Sequence, residues 1–416
     1  MLSILINAYA CSPGMGSEPG MAWNWCVCLS KYCELHIITE GEFKDKIENA
    51  VRVLRAGGVK IHFYYNPVPD KVRRMCWNQG DWRFYRYYKE WQKKTYFMAK
   101  EICSQNKIDI LHQLNMIGFR EPGYLWKLAN EEGLPFVWGP VDAKDKFPLA
   151  YTEGAGLRTK LFLLLKNTIT CLQLKYSRRV LNAARSADLL LSASSNSVRS
   201  FKKYLDIDTV LLNETGCLVR KRNMAHKKEK NTFDLLWVGK LDFRKQLSLA
   251  LRSLAAARHD DIRLHIVGGG DISVYLKEAE MLGVADLCVV HGTISHDEVQ
   301  ALMQKNDVLF FTSVAEGTPH VVLEAISNGL PVLCFDTCGQ GDCVDGKVGI
   351  KVSLSNPKQS VKDFAEKIEY LYAHRDVLEE MSRNCKLRQE ELSWDSKAKQ
   401  MVRLYEKCLK EYKEQR

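Results

Sequence analysis

The chain has 416 residues, of which 46% are hydrophobic and 26% charged, so it can bury the cores of two or three globular domains. No apolar run approaches 18 residues, which excludes a predicted membrane span. The net charge of +10 is uneven: residues 1–220 hold 31 Lys and Arg against 21 Asp and Glu, and residues 221–416 hold 29 of each. This asymmetry predicts a binding partner for the first half.

The N-terminal segment 1–9 has no basic leader and ends in a Gly/Pro loop. It therefore predicts a first core strand and not a signal peptide. The 14 cysteines include no Cys-x-x-Cys pair, and several, such as Cys26 and Cys334, lie in strand-like or helix-like runs. They favour buried, reduced thiols in a cytoplasmic protein over disulfide or metal chemistry.

The first half alternates short apolar runs with amphipathic stretches, a pattern typical of a parallel sheet with helices on both faces. The predicted strands are Ser3–Tyr9, Glu34–Thr39, Val59–Tyr65, Ile108–His112, Pro135–Gly139, Ala187–Ser192 and Thr209–Leu212. A polar, basic stretch over about 214–231 predicts a linker.

A second alternation follows the linker. Its predicted strands are Phe233–Val238, Ile262–Val267, Leu287–Val290, Asp307–Thr312 and Pro331–Phe335, and helices close the chain from about Val361. The predicted fold class is α/β, with two Rossmann-like doubly wound domains facing a cleft. The first spans 1–215, the second 216–395, and the terminal helix 396–416 is expected to pack back on the first.

The richest signal is the stretch from Val314 to Glu324, which follows a strand and opens a helix. Thr318 suits the N-cap and Pro319 the first helical position. The amides at this helix start suit a phosphate. Glu316 and Glu324 suit hydrogen bonds from sugar hydroxyls, whereas a pair of solvated surface glutamates is the plainer alternative.

Other strand ends carry weaker signals. The Gly/Pro loop after the first strand allows close approach of backbone to a ligand, and His112 is placed at the end of the fourth strand, although a lone histidine is more often structural. Lys240, Arg244 and Lys245 follow the strand that ends at Val238. They suit phosphate oxygens, or else form a solvated basic turn.

The chain resembles retaining glycosyltransferases of family 4, often called glycosyl transferases group 1, which have the GT-B fold. The resemblance covers nearly the whole chain. It is carried by Gly14-Met-Gly16, Val238-Gly-Lys240 with Lys245, Ile266-Val-Gly268, Ser313-x-x-Glu316-Gly-Thr-Pro-x-x-x-Leu-Glu324 and Leu392-Ser-Trp394. The paired-glutamate motif is its most specific part.

The resemblance implies that Glu324 binds the ribose and Glu316 the donor sugar of a nucleotide sugar. Lys245, aided by Lys240, would hold the diphosphate. Further implied contacts to the donor are Gly16, Thr293, Gly317 and Thr318, and His112 would support the reacting centre. Catalysis would then depend on His112, Glu316 and Lys245.

The sequence departs from the family pattern where Lys240 stands for arginine, where Gln246 stands for glycine, and where Asp342 stands for glutamate. The implied activity is retaining transfer of a sugar from a nucleotide diphosphate donor to a hydroxyl acceptor, in surface polysaccharide or glycolipid assembly. No metal and no other cofactor is expected, and no nucleic-acid module is recognised. A sugar-nucleotide epimerase and an inactive scaffold partner remain alternatives.

Residues 71–102 mix nine Lys and Arg with nine aromatic residues and only three acids. Residues 154–187 add seven cations and no acid around an apolar run, Leu161 to Leu165. Such mixtures suit the headgroup region of an anionic membrane. We therefore expect a cytoplasmic enzyme that binds the inner membrane face peripherally and meets a lipid-linked acceptor. In the alternative interpretation the aromatics are core and the charges solvated.

Overall fold

The structure is a computed structural model that describes residues 1–78, 81–143, 146–220, 231–257 and 259–415. The chain forms two compact units. The first comprises Met1–Asp145, Ile169–Thr215 and Trp394–Arg416, and the second Lys146–Thr168 and Gly216–Ser393. The predicted boundary gave all of 1–215 to the first domain, whereas residues 146–168 group with the second. Residues 221–230 of the predicted linker lie outside the described part.

The first unit contains a seven-stranded parallel sheet in the order β3-β2-β1-β4-β5-β6-β7. Its strands are β1 (Ser3–Ala8), β2 (Glu34–Thr39), β3 (Ile61–Tyr65), β4 (Ile110–Asn115), β5 (Phe136–Val141), β6 (Leu189–Ser192) and β7 (Val210–Leu211). Its helices are α1 (Ser17–Leu29), α2 (Lys44–Ala56), α3 (Asp70–Trp77), α4 (Phe84–Gln105), α5 (Leu125–Glu132), α7 (Arg178–Arg185), α8 (Ser195–Leu205) and α16 (Trp394–Glu414), while α6 (Leu157–Tyr176) runs from the second unit into the first.

Both faces of this sheet are buried, because side chains alternate along each strand. Ile4 and Ile6 of β1 pack on the face that α16 covers, together with its Met401 and Tyr405, and Leu5 packs on the other face. The terminal helix therefore belongs to the core of the first unit.

The second unit contains a six-stranded parallel sheet in the order β10-β9-β8-β11-β12-β13. Its strands are β8 (Phe233–Val238), β9 (Ile262–Val267), β10 (Cys288–Gly292), β11 (Val308–Phe311), β12 (Val332–Phe335) and β13 (Gly349–Val352). Its helices are α9 (Leu247–Ala257), α10 (Ser273–Met281), α11 (His296–Lys305), α12 (His320–Ser327), α13 (Cys338–Cys343), α14 (Pro357–Ala373) and α15 (Arg375–Glu391).

Both predicted parallel sheets are present, and most strand bounds agree with the predictions within two residues. Three differences affect the topology or the candidate site. The strand β13 was missed. The fourth strand is Ile110–Asn115 and not Ile108–His112, so that His112 lies inside the strand and not at its end. The helix whose first position was expected at Pro319 begins one residue later, at His320. The 14 cysteines, all within the described residues, form no disulfide, and eight of them are buried.

Candidate functional site

The second sheet reverses its winding direction at β8, which has β9 on one side and β11 on the other. Open parallel sheets bind ligands at such a switch point, beyond the carboxyl ends of the strands. Lys240 and Lys245 follow β8, and Glu316 follows β11. The order of the strands thus places these predicted site residues together at the carboxyl ends of the central strands of the second sheet.

At this end of the sheet, the Nζ atom of Lys245 forms an ion pair with the Oε1 atom of Glu316. The hydroxyl of Ser313 donates to the same oxygen at 2.5 Å. Lys245 and Glu316 are only 18% and 19% exposed, and the ammonium group of Lys245 lies 5.4 Å from the ring centre of Phe311. A cation and an anion are therefore held side by side in a partly desolvated position, where their charges act more strongly than in water.

The loop that carries Lys245 is fixed by its neighbours. The hydroxyl of Thr312 donates to the carbonyl of Lys245 at 2.8 Å, and the amide of Val314 donates to the carbonyl of Arg244 at 3.1 Å. Gln246, at the position where the resemblance implies a glycine, has a left-handed φ of 55°. Its side-chain amide donates to the carbonyl of Tyr151 at 2.8 Å, so this glutamine anchors the segment 146–168 to the second unit.

The helix α12 has Pro319 as its N-cap residue and no side-chain cap, so the predicted capping role of Thr318 is wrong. Thr318 is buried, and with Gly317 it forms the turn that precedes the helix. The amide of Gly339 donates to the carbonyl of Gly317 at 3.1 Å. A Cβ atom at Gly339 would lie 2.5 Å from the Cα atom of Thr318, so only glycine permits this approach.

Glu324 lies on α12 and points to α11. Its carboxylate is 3.2 Å from the Nε2 atom of His296 and accepts a 3.2 Å hydrogen bond from the side-chain amide of Gln300. The side chain of Glu324 is 32% exposed. The paired glutamates are thus neither free nor fully solvated, and each is oriented by a neighbouring side chain.

Two further residues predicted to contact the nucleotide-sugar donor lie at the carboxyl ends of strands of the same sheet. Lys240 is exposed at the end of β8. Thr293 is exposed after β10, and a Cβ atom at Gly269 would lie 2.8 Å from its hydroxyl oxygen. At Gly268, with φ of 150°, a Cβ atom would lie 1.7 Å from the carbonyl oxygen of Gly239. The backbones of the loops after β8 and β9 are therefore in close contact.

His112 belongs to the first unit and is fully buried. Its Nε2 atom donates to the carbonyl of Gly139, and its Nδ1 atom accepts from the hydroxyl of Tyr405, each at 2.5 Å. Burial lowers the pKa of His112 to about 4, with the bond to Gly139 opposing the shift, so the ring is neutral at pH 7. Both ring nitrogens are occupied within the core, which supports the structural alternative for this residue.

The first unit also contains a cavity of about 400 Å³ at the carboxyl ends of β1 and β2. Gly16, the N-cap of α1, directly precedes its lining residues Ser17 and Glu18. The cavity combines aromatic and acidic side chains, among them Tyr9, Phe43, Trp77, Tyr85, Glu18, Glu40 and Glu42. Aromatic faces with carboxylates suit a ligand rich in hydroxyl groups.

Helix α6 presents an unusual surface. Eight of its apolar side chains are between 49% and 83% exposed: Leu157, Leu161, Phe162, Leu164, Leu165, Ile169, Leu172 and Tyr176. Its four cations are also exposed, and it carries no acid. Buried Leu163 and Leu174 lie on its other side, and Asn167 fixes it by two hydrogen bonds to the backbone of Phe147.

The side chains of the basic segment 71–102 do not all lie on the surface, as the membrane prediction requires. Phe84, Tyr88 and Trp91 are core residues. Four of the nine cations pair with acids: Arg73 with Glu40, Arg83 with Asp81, Lys93 with Glu90 and Lys100 with Glu131. The alternative of core aromatics thus holds for part of this segment, whereas five of the nine aromatic side chains, Trp77, Trp82, Tyr85, Tyr87 and Phe97, are exposed. Of the helices in the described residues, none has both the length and the apolarity needed to span a bilayer.

Comparison with known proteins places this geometry in context. Residues 220–388 match the family model for glycosyl transferases group 1. An uncharacterized glycosyltransferase of Methanocaldococcus jannaschii is 30% identical over 175 residues, which are 41% of this chain and 44% of that protein. The sulfoquinovosyl transferase SQD2 of Arabidopsis thaliana is 28% identical over 219 residues, 51% of this chain and 41% of that protein. The chain thus spans less than half the length of these relatives.

Solved structures extend the likeness over the whole chain. Anabaena HepE, solved in complex with UDP, aligns with a TM-score of 0.62 at 14% identity, covering 98% of this chain and all of the other. At that identity the match concerns the fold. It confirms the predicted fold class, α/β with two Rossmann-like doubly wound domains of the GT-B type.

Proposed function

We propose that the chain transfers a sugar from a nucleoside diphosphate donor to a hydroxyl acceptor with retention of the anomeric configuration, because its residues 220–388 match the family model for glycosyl transferases group 1. The observation that carries the proposal is the Lys245–Glu316 pair at the switch point of the second sheet. A diphosphate needs a cation there, and a sugar needs an oriented hydrogen-bond acceptor.

In the proposed reaction the bond between the anomeric carbon and the diphosphate breaks, and negative charge develops on the departing phosphate. The ammonium groups of Lys245 and Lys240, together with the positive end of α12, stabilise that charge. Lys245 is already held in position by its ion pair with Glu316 before the reaction, so it needs little reorganisation. Lysines supply the charge that a metal ion would otherwise provide, and the scheme requires no other cofactor.

Retention follows if the acceptor hydroxyl attacks from the face that the diphosphate leaves. The new bond joins the acceptor oxygen to the anomeric carbon, and the proton of the hydroxyl passes to the departing phosphate oxygen. No protein nucleophile takes part. Glu316, whose oxygen accepts from both Ser313 and Lys245, then serves to hold hydroxyls of the donor sugar.

The cavity of the first unit is the proposed acceptor site. Glu42 accepts hydrogen bonds from hydroxyls, whereas Glu40 is buried and paired with Arg73, and the aromatic rings pack on the apolar faces of a sugar. Glu42 receives the indole hydrogen of Trp77 at 2.9 Å, so that this edge of the cavity is ordered by a polar contact. This assignment is consistent with an acceptor in surface polysaccharide or glycolipid assembly.

The reaction is tested by incubating the protein with a panel of nucleotide sugars and glycan acceptors. We expect release of a nucleoside diphosphate from one donor and a glycoside whose anomeric coupling in proton NMR matches that donor. Glu42→Gln should raise KM for the acceptor and leave KM for the donor unchanged. An inverted product would contradict the retaining scheme, and no diphosphate release from any donor would contradict transfer.

We further propose that the exposed face of α6 docks on an anionic membrane. Apolar side chains flanked by Arg158, Lys160, Lys166 and Lys175 match a surface of acidic headgroups over acyl chains. Each cation near such a surface contributes about 1 kcal/mol. The charge complementarity favours a lipid surface as the occupant, and it would bring the enzyme to a membrane-held acceptor.

Docking is tested by co-sedimentation with vesicles that contain phosphatidylglycerol. The wild type should bind at low salt and release at high salt. Leu161→Ser with Phe162→Ser, and separately Lys160→Gln with Lys166→Gln, should each weaken binding. The matched control is Met281→Ser, which removes an apolar side chain that is 81% exposed on α10. Equal binding by all variants, or equal binding to neutral vesicles, would refute the assignment to α6.

A further inference from the structure

Three side chains with metal-binding groups meet at the edge of the first sheet. Glu34 and His36 lie two residues apart on β2 and therefore project from the same face. His62 on β3 is the register partner of His36 in the parallel pair. The two imidazole rings stack with their centres 4.9 Å apart and their planes inclined by 22°.

The ligand atoms of the three side chains converge. The Nε2 atom of His62 lies 3.4 Å from the Oε1 atom of Glu34, and the Nε2 atom of His36 lies 4.0 Å from the same oxygen. One ligand atom from each residue fits within 4.8 Å of the other two. A tetrahedral zinc ion with bonds of about 2.0–2.1 Å separates its ligand atoms by roughly 3.4 Å. Binding a metal therefore requires only a small contraction of this group.

The orientation of the His36 ring allows it to serve as a metal ligand. Its Nδ1 atom is 3.0 Å from the hydroxyl oxygen of Tyr64. If Nδ1 carries the proton and donates to Tyr64, the lone pair of Nε2 faces Glu34 and His62. Histidine ligands commonly donate their second ring hydrogen in this way, which fixes the tautomer and the ring. His36 is 3% exposed and His62 44%, so the group is rigid on one side and open to solvent on the other.

We propose that Glu34, His36 and His62 form a binding site for a divalent metal ion of the zinc class, with solvent completing its coordination. Two imidazoles and one carboxylate are ligands that zinc accepts readily. The three residues lie toward the amino ends of β2 and β3, whereas the cavity described above lies at the carboxyl ends of β1 and β2. The bound ion would tie the edge strand β3 to β2, so its role is to stabilise the first unit.

The ammonium group of Lys60 competes with a metal ion for the carboxylate of Glu34. Its ammonium group lies 3.8 Å from the Oε2 atom of Glu34 and is 61% exposed. A metal ion bound to Glu34 would be repelled by this charge. Removing the charge in Lys60→Gln should therefore tighten metal binding, a result that a purely hydrogen-bonded histidine cluster would not give.

The site is tested by titrating Zn²⁺ into the full chain after dialysis against a chelator, with calorimetric detection. We expect one saturable equivalent that raises the unfolding temperature. His62→Ala and Glu34→Gln, both partly exposed, should each lower the affinity at least about tenfold. His374→Ala removes an exposed histidine on the second unit and should leave the isotherm unchanged.

Cysteine thiols are the competing source of zinc binding, because the 14 cysteines, all of which lie in the described residues, form no disulfide. Co²⁺ distinguishes the two: imidazole and carboxylate ligands give visible bands alone, whereas thiolates add an intense near-ultraviolet transition. We expect visible bands that disappear in His62→Ala. A thiolate transition, an affinity that is equal in the wild type and both ligand variants, or no saturable binding would overturn the proposal.

Discussion

Replacing Lys245 by alanine is expected to lower kcat about tenfold to a thousandfold, because the variant loses a cation that stabilises the departing phosphate. The ammonium group is 18% exposed and faces Glu316 in a loop fixed by hydrogen bonds to Thr312 and Val314. Water cannot replace it at equal strength in such a position. The measurement is steady-state release of nucleoside diphosphate at saturating donor.

Two further variants make this result specific. Lys277→Ala removes an exposed cation on α10 of the same unit and should leave kcat unchanged. Glu316→Gln keeps the shape of the side chain but removes its charge. It should lower kcat clearly and change the unfolding temperature little. If Lys245→Ala changes only the unfolding temperature, Lys245 belongs to a structural basic turn and the leaving-group assignment fails.

Glu324→Gln should weaken donor binding by about 1.5–3 kcal/mol, which corresponds to roughly tenfold to a hundredfold in affinity. The ribose hydroxyls would lose a charged acceptor that His296 and Gln300 hold in position. Since the contact is to the nucleoside and not to the reacting bond, Kd for the nucleoside diphosphate should rise by the same factor as KM for the donor.

The control for this variant is Glu280→Gln, which removes the charge of an exposed glutamate on α10. It should leave both constants unchanged. A lower kcat with an unaltered Kd in Glu324→Gln would place the residue at the reacting centre and contradict its assignment to the ribose.

Hydrophobic patterning predicted most of the fold. Of the thirteen strands in the described residues, twelve were located, because most of them appear as short, mainly apolar runs between loops. The exception, β13 (Gly349–Val352), is short and contains a glycine and an exposed lysine. Its position is set by pairing with β12, a tertiary contact that four residues of sequence do not reveal.

The candidate site was predicted in part. The two glutamates and Lys245 stood out because charged residues after buried strands are informative. The partners of Glu324 were missed, since the ordinary residues His296 and Gln300 gain importance only when α11 and α12 lie side by side. Ser313 was part of the quoted motif, but its hydrogen bond to Glu316 was not predicted. His112 was misplaced at a strand end because the length of an apolar run does not fix its last paired residue.

The prediction for the basic segments shows a further limit of composition. Residues 71–102 and 154–187 have similar charge excess, yet the first supplies Tyr88 and Trp91 to the core and neutralises several cations locally, while α6 leaves its apolar side chains exposed. Periodicity did not separate the two segments because apolar residues occur on several faces of each helix. Only packing distinguishes them.

The most direct test of the account is a calorimetric titration of the protein with a panel of nucleoside diphosphates. The account predicts that at least one diphosphate binds in a one-to-one ratio, that Glu324→Gln and Lys245→Ala each weaken this binding, and that Glu280→Gln and Lys277→Ala do not. Binding of equal strength in the wild type and all four variants, or no binding of any diphosphate at millimolar concentration, would contradict a nucleotide-sugar site at the carboxyl ends of the strands of the second sheet.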